Sequence, residues 1–314
     1  MKQRLIIFFL IASLSVHAQS SNKIFTSDID NFWRAYDSIQ QTSDFTKKLA
    51  LINEYYISKR TKGLDAFMEL RDYNDTLYIK LIERYPKFWT SIRSNTLSVK
   101  TKIAAFNKAI ADLQKLYPGL REAEMYFTIG GLRSGGTVKD NMVLVGAEIA
   151  TGDPSIDMSD FKNDWLKKAF AKQSLDNLVY LNIHEYIHTQ QNGSGDRVLN
   201  QCIMEGACDF ITELVLRKTP ETQYMFYGKK NHKEIKEQFK QDMLTKNFAN
   251  WLYNGGQKGE SADLGYYIGY EICKSYYKHT KNKSQAIKEI IELNYADDKA
   301  VDAFLVQSKF FGEE

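Results

Sequence analysis

The apolar residues between positions 28 and 117 recur mainly at intervals of three and four, the spacing of amphipathic helices. Aromatic residues follow the same spacing, which indicates that they form the buried helix faces. The pattern predicts five successive helices, over residues 30–39, 44–57, 64–71, 76–84 and 99–117. Pro118 and Gly119 then end this helical block, because neither residue readily continues a helix.

Two apolar, β-prone runs follow the helical block, at residues 125–129 and 142–149. The segment between them is rich in glycine and contains Gly130, Gly131, Gly135 and Gly136. Two β-prone runs joined by a glycine-rich segment are typical of a β-hairpin. We therefore predict a hairpin of these two strands with a long, flexible tip.

Helical patterns return in the second half of the chain. Ser174 is a suitable N-cap for a helix over 175–191, and the glycine-rich residues 192–195 end it. Further helices are predicted over residues 198–216, 233–244, 265–277 and 283–293. The sequence therefore predicts a predominantly helical α+β protein. It divides into a helical N-terminal region, 19–120, and a second region, 121–314, and the two can equally form one continuous domain.

The first residues carry an export pattern. Lys2 and Arg4 precede an apolar run over 5–16, and Val16-His17-Ala18 comes before Gln19. This order predicts a signal peptide over residues 1–18 and a periplasmic or extracellular protein. The run is too short to cross a hydrocarbon core about 30 Å thick. The first cysteine is Cys202, so no residue near the predicted cleavage site is suited to carry a lipid.

Charge and cysteine content narrow the function classes. The chain has 42 basic and 39 acidic residues, and the signal peptide removes two basic ones. This balance argues against nucleic acid or an anionic membrane as partner, and no stable membrane insertion is expected. Cys202 and Cys208 share one predicted helix at a spacing that disfavours a disulfide. A bridge to Cys273 remains open, although three buried thiols is the preferred interpretation.

The most informative motif is His-Glu-x-x-His, formed by His184, Glu185 and His188. Two histidines four positions apart on a helix share one face and can bind one metal ion. Glu185 lies beside that face, where it can act as a base toward water activated by the metal. The motif predicts a catalytic zinc site, which needs a third protein ligand.

A second predicted helix supplies that ligand. Glu205 follows His188 by seventeen positions, enough for a turn that folds this helix back on the first. Asp209 lies one helical turn later and can accept a hydrogen bond from a ligand histidine. Gly206 and Ala207 are small, which fits a close approach of the two helices.

His-Glu-x-x-His followed by Glu-Gly-x-x-Asp resembles the motif pair of gluzincin metallopeptidases over residues 175–216. Weaker similarities at 32–36, 130–136 and 265–270 resemble a family of predicted secreted zinc-dependent proteases of unknown substrate, related to a gliding-motility lipoprotein group. The resemblance implies a zincin-like fold for 121–314. It also implies one Zn²⁺ per chain, bound by His184, His188 and Glu205, with Glu185 as catalytic base and Asp209 as supporting carboxylate.

The same resemblance implies how a peptide substrate is bound. One of the two predicted strands would be the edge that pairs with the substrate backbone, and the glycine segment 130–136 would cover the cleft. Tyr266 or Tyr267 would stabilise the oxyanion, with Tyr270 as a further candidate. Gly146-Ala147-Glu148 partly resembles an exopeptidase motif; otherwise Glu148 is predicted to be a solvated strand residue. His232 and His279 are predicted to be surface histidines.

These features predict a secreted zinc-dependent peptidase that acts on a peptide or protein substrate. The sequence does not decide whether this peptidase is an aminopeptidase or an endopeptidase. The alternative from another class is a non-catalytic, zinc-containing protein that binds a peptide or surface partner on the same scaffold. The presence of Glu185 argues against that alternative, because a binding scaffold does not require this carboxylate.

Overall fold

The computed structural model describes residues 23–255 and 258–312, so the predicted signal peptide lies outside the described residues. The described part of the chain is mostly helical, at 64%, and contains one small mixed sheet of four strands. The prediction of a predominantly helical α+β protein is confirmed. Within the described ranges, no helix combines the length and the apolar character needed to cross a membrane.

Six α-helices form the N-terminal part of the chain from residue 23 onwards. They are α1 (Ser27–Ile39), α2 (Phe45–Tyr55), α3 (Lys62–Arg71), α4 (Asp75–Arg84), α5 (Pro86–Ser98) and α6 (Ile103–Leu116). Side chains of Asp44, Thr61 and Asn74 accept backbone N–H bonds at the starts of α2, α3 and α4. The sequence patterns did not predict α5. Pro86 begins this helix, since proline is well suited to the first turn of a helix.

An aromatic cluster fills the core between these helices. Phe32 and Trp33 of α1 contact Trp89 of α5, and the buried Trp33 indole donates to Thr96 Oγ1 at 2.9 Å. The buried hydroxyls of Tyr56 and Tyr78 both donate to the carbonyl of Ile129, at 2.5 and 3.1 Å. The helical region is therefore bonded directly to the chain at the end of a central strand.

The sheet differs from the predicted hairpin. Its strands are β1 (Lys23–Phe25), β2 (Glu124–Thr128), β3 (Gly136–Lys139) and β4 (Met142–Gly146), in the order β1-β2-β4-β3. β2 and β4 pair in parallel, whereas β3 and β4 form the antiparallel hairpin. The chain turns at Asp140, an aspartate in the left-handed conformation (φ 54°).

The predicted pairing of 125–129 with 142–149 as a hairpin is wrong, because the glycine segment leads into β3 before the chain turns. Both β2 and β4 are interior strands, so neither is an edge that a substrate could pair with. Within the described residues, β3 is the edge strand that lies next to β4. The run 142–149 also ends as a strand at Gly146, and α7 (Ala147–Ala150) begins immediately.

The remaining helices build the second half of the protein. They are α8 (Trp165–Phe170), α9 (Leu178–His188), α10 (Val198–Leu216), α11 (Gln223–Lys230), α12 (His232–Asp242), α13 (Leu264–His279), α14 (Lys283–Glu292) and α15 (Asp298–Ser308). The three cysteines are buried free thiols, as preferred from the sequence. α9 ends at His188, three residues before its predicted end.

The closest helix packing in this half is between α10 and α13. A Cβ at Gly206 would lie 2.0 Å from the backbone nitrogen of Tyr270, and one at Gly269 would lie 1.6 Å from the carbonyl oxygen of Cys202. The small residue at position 206 therefore serves the contact with α13. The sequence predicts instead that this residue allows α9 and α10 to approach, which is a different pair of helices.

Gly269→Ala is expected to destabilise the protein by about 3 kcal/mol, since the added methyl group meets backbone atoms that cannot rotate away. Helix propensity alone predicts the opposite sign, a gain of up to about 1 kcal/mol. Urea unfolding of the variant and the wild type measures the difference. Lys278→Ala, at an exposed position of α13, is the control and should change stability little. An unchanged unfolding midpoint in Gly269→Ala would contradict the packing argument.

Candidate metal centre

The structure brings His184, His188 and Glu205 together at the contact of α9 and α10. The Nε2 atoms of the two histidines lie 3.2 Å apart. Glu205 Oε2 lies 3.3 Å from His184 Nε2 and 3.1 Å from His188 Nε2. Three potential ligand atoms thus form a nearly equilateral triangle within a largely buried site.

The hydrogen bonds of the outer histidine nitrogens determine which atoms carry protons. His184 Nδ1 lies 2.8 Å from Asp209 Oδ1, a carboxylate oxygen that accepts. His188 Nδ1 lies 2.7 Å from Gln191 Oε1, and Gln191 Nε2 donates to the carbonyl of Met204, which orients the amide. Both Nδ1 atoms therefore donate. In the neutral rings both Nε2 atoms carry lone pairs, and these converge with Glu205 Oε2.

This donor set fits zinc. Bonds of about 2.0–2.1 Å to nitrogen place two ligands of a tetrahedral ion roughly 3.3 Å apart, close to the observed triangle. Two histidines and one carboxylate are a common ligand set for catalytic zinc, with one position left open. Cys208 Sγ lies near His188, but its 3.4 Å contact is with Nδ1 of that ring, on the side opposite Nε2. We therefore assign the candidate ligands to Glu205 and the two histidines.

The charges around the triangle favour a cation. Burial lowers the pKa of His184, but Asp209 and Glu205 outweigh burial and hold this pKa well above its ordinary value. Burial raises the pKa of Glu205, but the two histidines outweigh it and hold this pKa well below its ordinary value. Buried carboxylates thus favour positive charge between these side chains, whether protons or a metal ion supply it.

Asp209 is the carboxylate behind His184, as its spacing predicted. It is fully buried and accepts three bonds: from His184 Nδ1, from Tyr180 Oη at 2.8 Å and from Tyr224 Oη at 2.9 Å. The sequence analysis missed both tyrosines. Tyr180 precedes His184 by four positions and shares its helix face, a detectable signal, whereas Tyr224 comes from α11 and has no local signal.

Glu185 is half-buried and lies on α9 between the two histidines, next to the glycine segment. A Cβ at Gly136 would lie 3.6–3.8 Å from the Glu185 side chain, so the first residue of β3 faces this carboxylate. The other predicted glycines lie elsewhere. Gly130 and Gly131 contact Tyr73, and Gly135 contacts Ile149. Of the four, Gly136 is the one that meets a predicted catalytic side chain.

Glu148 corrects another prediction, because it is a fully buried residue of α7 and not a solvated strand residue. Its carboxylate accepts the backbone N–H groups of Gly130 at 2.8 Å and Leu132 at 3.2 Å. It therefore holds the start of the glycine segment that leads to β3. A long-range contact of this kind cannot be read from the pattern of polar positions.

Glu148 should make the protein less stable as pH rises. Burial raises its pKa from 4.5 to about 7, although the N–H groups of Gly130 and Leu132 lower it in part. The folded state therefore holds the proton more tightly than the unfolded state. The resulting stability is complete below the unfolded pKa and is lost as pH rises through about 7, by up to about 3 kcal/mol.

Urea unfolding between about pH 4.5 and pH 8 tests this expectation, since the shift spans that window. The free energy of unfolding should fall across it in the wild type, and the contribution of residue 148 should disappear in Glu148→Gln. Equal slopes in the two proteins would assign the pH dependence to other groups.

The tyrosines predicted for the oxyanion role lie in different surroundings. The Tyr266 ring lies 6.0 Å from the His184 ring between centroids. Tyr267 is buried with its hydroxyl 2.7 Å from His232 Nδ1, and Tyr270 donates to Glu213. Of these three tyrosines, Tyr266 is therefore the one whose ring lies next to a histidine of the triangle. His232 is half-buried against Tyr267, which corrects its prediction as a surface histidine, whereas His279 is exposed.

Tyr253 was not predicted, yet it reaches the centre. Its hydroxyl donates to Glu205 Oε1 at 3.1 Å, the oxygen that does not belong to the triangle. The residue is 64% exposed and its backbone is left-handed (φ 58°), an uncommon conformation for tyrosine. The bond leaves Glu205 Oε2 to face the histidines.

Comparison with known proteins identifies the family. The family model for Gliding motility protein GldB matches residues 15–243, which include both motif helices. No curated protein matches the chain, and no solved structure does. The match covers well over half of the 314 residues. The chain therefore belongs to the family of the Gliding motility protein GldB, a gliding-motility lipoprotein family.

Proposed function

We propose that this protein is a zinc-dependent peptidase of gluzincin type, with a zincin-like catalytic region over 121–314. The observation that carries the proposal is the convergence of three lone pairs, from His184, His188 and Glu205, beside the carboxylate of Glu185. Three buried acceptors that face one another favour a cation between them. The chemistry of the donors selects zinc among the divalent ions, and one ion per chain is expected.

When bound, zinc supplies Lewis acidity to the substrate carbonyl and to the attacking water. The residues of this chain do the rest. Glu185 accepts a proton from the water as it attacks and passes that proton to the leaving amine. Asp209 keeps His184 in the tautomer with its lone pair on Nε2. Tyr266, whose ring lies next to His184, would supply the hydroxyl that donates to the developing oxyanion, whereas Tyr253 already donates to Glu205.

An extended substrate would bind along β3. This edge strand starts at Gly136, beside Glu185, and β3 packs against α9. Pairing with a strand edge uses backbone hydrogen bonds, so it holds a peptide with little demand on its sequence. Membership of a lipoprotein family indicates an exported, envelope-associated protein, and we propose that the peptidase acts there.

Elemental analysis of the purified chain without residues 1–18, together with a peptide hydrolysis assay, tests the proposal. We expect one zinc per chain and hydrolysis that a chelator abolishes and added zinc restores. Peptides with free and with blocked amino termini separate an aminopeptidase from an endopeptidase. Zinc without hydrolysis of a broad peptide library would favour a binding protein, and the absence of stoichiometric metal would refute the zinc site.

A further inference from the structure

The two carboxylate oxygens of Glu205 have different partners. Oε2 faces the two histidines of the triangle, whereas Oε1 accepts from the hydroxyl of Tyr253 at 3.1 Å. Glu205 is buried, and a buried carboxylate oxygen needs a hydrogen-bond donor or a cation. Tyr253 supplies the donor from the segment between α12 and α13. The tyrosine thus occupies the oxygen that the triangle does not use.

A second acceptor confines the same hydroxyl. Gln201 lies one turn before Glu205 on α10, and its Oε1 is 3.3 Å from the hydroxyl of Tyr253. The amide nitrogen of Gln201 donates to Ser194 and to the carbonyl of Gly195, so Oε1 is the amide atom that faces the tyrosine. A hydroxyl has one proton to donate, and its bond to the charged carboxylate is both the shorter and the stronger one. The hydroxyl is therefore held against Glu205.

The backbone around Tyr253 is fixed, although the residue itself is exposed. Leu252 and Asn254 on either side are both buried. The N–H of Asn254 donates to Asp263 Oδ1 at 3.1 Å, and the N–H of Asp263 donates back to Asn254 Oδ1 at 2.7 Å. The left-handed backbone of Tyr253 costs free energy, so it persists only where the surrounding structure imposes it. The fold therefore fixes the position from which this side chain reaches Glu205.

We propose that Tyr253 is a positioning residue that limits Glu205 to one metal-binding oxygen, Oε2, and thereby keeps a coordination position open for water. The inference rests on the proposed function, since a catalytic zinc site needs that position. A carboxylate can bind a metal ion through one oxygen or through both. Without the hydrogen bond from Tyr253, attraction to the cation favours the approach of Oε1 as well, where it competes with water.

The first test counts metal-binding oxygens without any hydrolysis. Tyr253→Phe removes the hydroxyl and keeps the ring, and this exposed residue tolerates the change. X-ray absorption at the zinc edge of the zinc-loaded chain reports the distance from zinc to the carboxylate carbon, which shortens when both oxygens bind. We expect one-oxygen binding in the wild type, a shorter zinc-to-carbon distance in Tyr253→Phe, and one zinc per chain in both proteins.

Tyr270→Phe is the matched control. Tyr270 also donates to a glutamate of α10, Glu213, at 2.6 Å, but that glutamate does not belong to the triangle. The X-ray absorption of Tyr270→Phe should equal that of the wild type. Both variants lose one hydroxyl that donates to a carboxylate, so a general loss of stability would affect both and is separated from the effect on Glu205.

The second test measures how the two variants hydrolyse a peptide. Tyr253→Phe should lower kcat by about 10-fold, the size of effect typical of groups that orient a metal ligand. KM should change little, because Tyr253 acts on the position of water and not on the bound peptide. Tyr270→Phe should keep both constants within a few-fold of wild type.

The outcomes separate the two proposals. A shorter zinc-to-carbon distance in Tyr253→Phe alone, without hydrolysis of any peptide by the wild type, would retain the role of Tyr253 and refute the peptidase function. Identical X-ray absorption of the three proteins, together with hydrolysis by the wild type, would overturn the inference and leave the peptidase function standing, even if kcat falls in Tyr253→Phe. A chain that binds no zinc would refute both.

Discussion

Glu185→Gln is expected to lower peptide hydrolysis by about 10³-fold while the zinc content stays at the wild-type level. The amide has nearly the same shape as the carboxylate but cannot accept a proton from water at neutral pH. Glu185 also does not belong to the triangle of His184, His188 and Glu205, so its replacement leaves the donor set intact. Steady-state kinetics and elemental analysis of the same preparation measure both quantities.

A second Glu→Gln variant provides the control for Glu185→Gln. Glu213 lies on α10, two turns beyond Glu205, where it accepts from Tyr270. Glu213→Gln changes the charge by the same amount near the site without touching Glu185. Its kcat should stay within a few-fold of wild type. If Glu185→Gln retains activity within 10-fold of wild type, Glu185 is not the base.

Glu205→Ala should remove the metal and with it the stability that the metal provides. This variant deletes one of the three converging acceptors and leaves two neutral imidazoles, a weak site. A ligand present at 1,000 times its Kd stabilises the folded state by about 4 kcal/mol. A chelator should therefore lower the Tm of the wild type by on the order of 5 °C and leave that of Glu205→Ala unchanged.

The comparison with Glu213→Ala separates loss of the metal from general loss of stability. Both variants remove a glutamate from α10, and both remove a carboxylate that accepts from a tyrosine hydroxyl, Tyr253 in one case and Tyr270 in the other. Glu213→Ala should keep one zinc per chain and the chelator-induced shift in Tm. A Glu205→Ala protein that still binds zinc stoichiometrically would show that another residue, such as Cys208, is the third ligand.

The helices were predictable where their determinants are local. α9 and α10 follow from apolar periodicity and the nearby glycines, and most predicted N-terminal helices lie within a few residues of their observed bounds. α5 was not predicted from the sequence, although its first residue, Pro86, is well suited to a helix start. The parallel pairing of β2 with β4 was also missed, since strand partners are selected by contacts with α1 and α3 that no local pattern records.

The surroundings of the centre were predictable only in part. Asp209 could be placed because its distance from Glu205 is one turn of the same helix. Tyr224 and Tyr253 come from segments distant in sequence, and their hydroxyls meet Asp209 and Glu205 only after the chain has folded. Glu148 looked like a solvated residue because the sequence does not show that two backbone N–H groups are aimed at it.

The sequence by itself determined the four chemical groups proposed for catalysis, because His184, Glu185 and His188 share one helix and Glu205 stands one turn from Asp209 on the next. Only the tertiary structure decided which strand is the edge and which tyrosines reach the centre. The physical reason is the range of the interactions. Helical spacing acts over four residues, whereas strand order and the positions of these tyrosines depend on contacts between segments far apart in the chain.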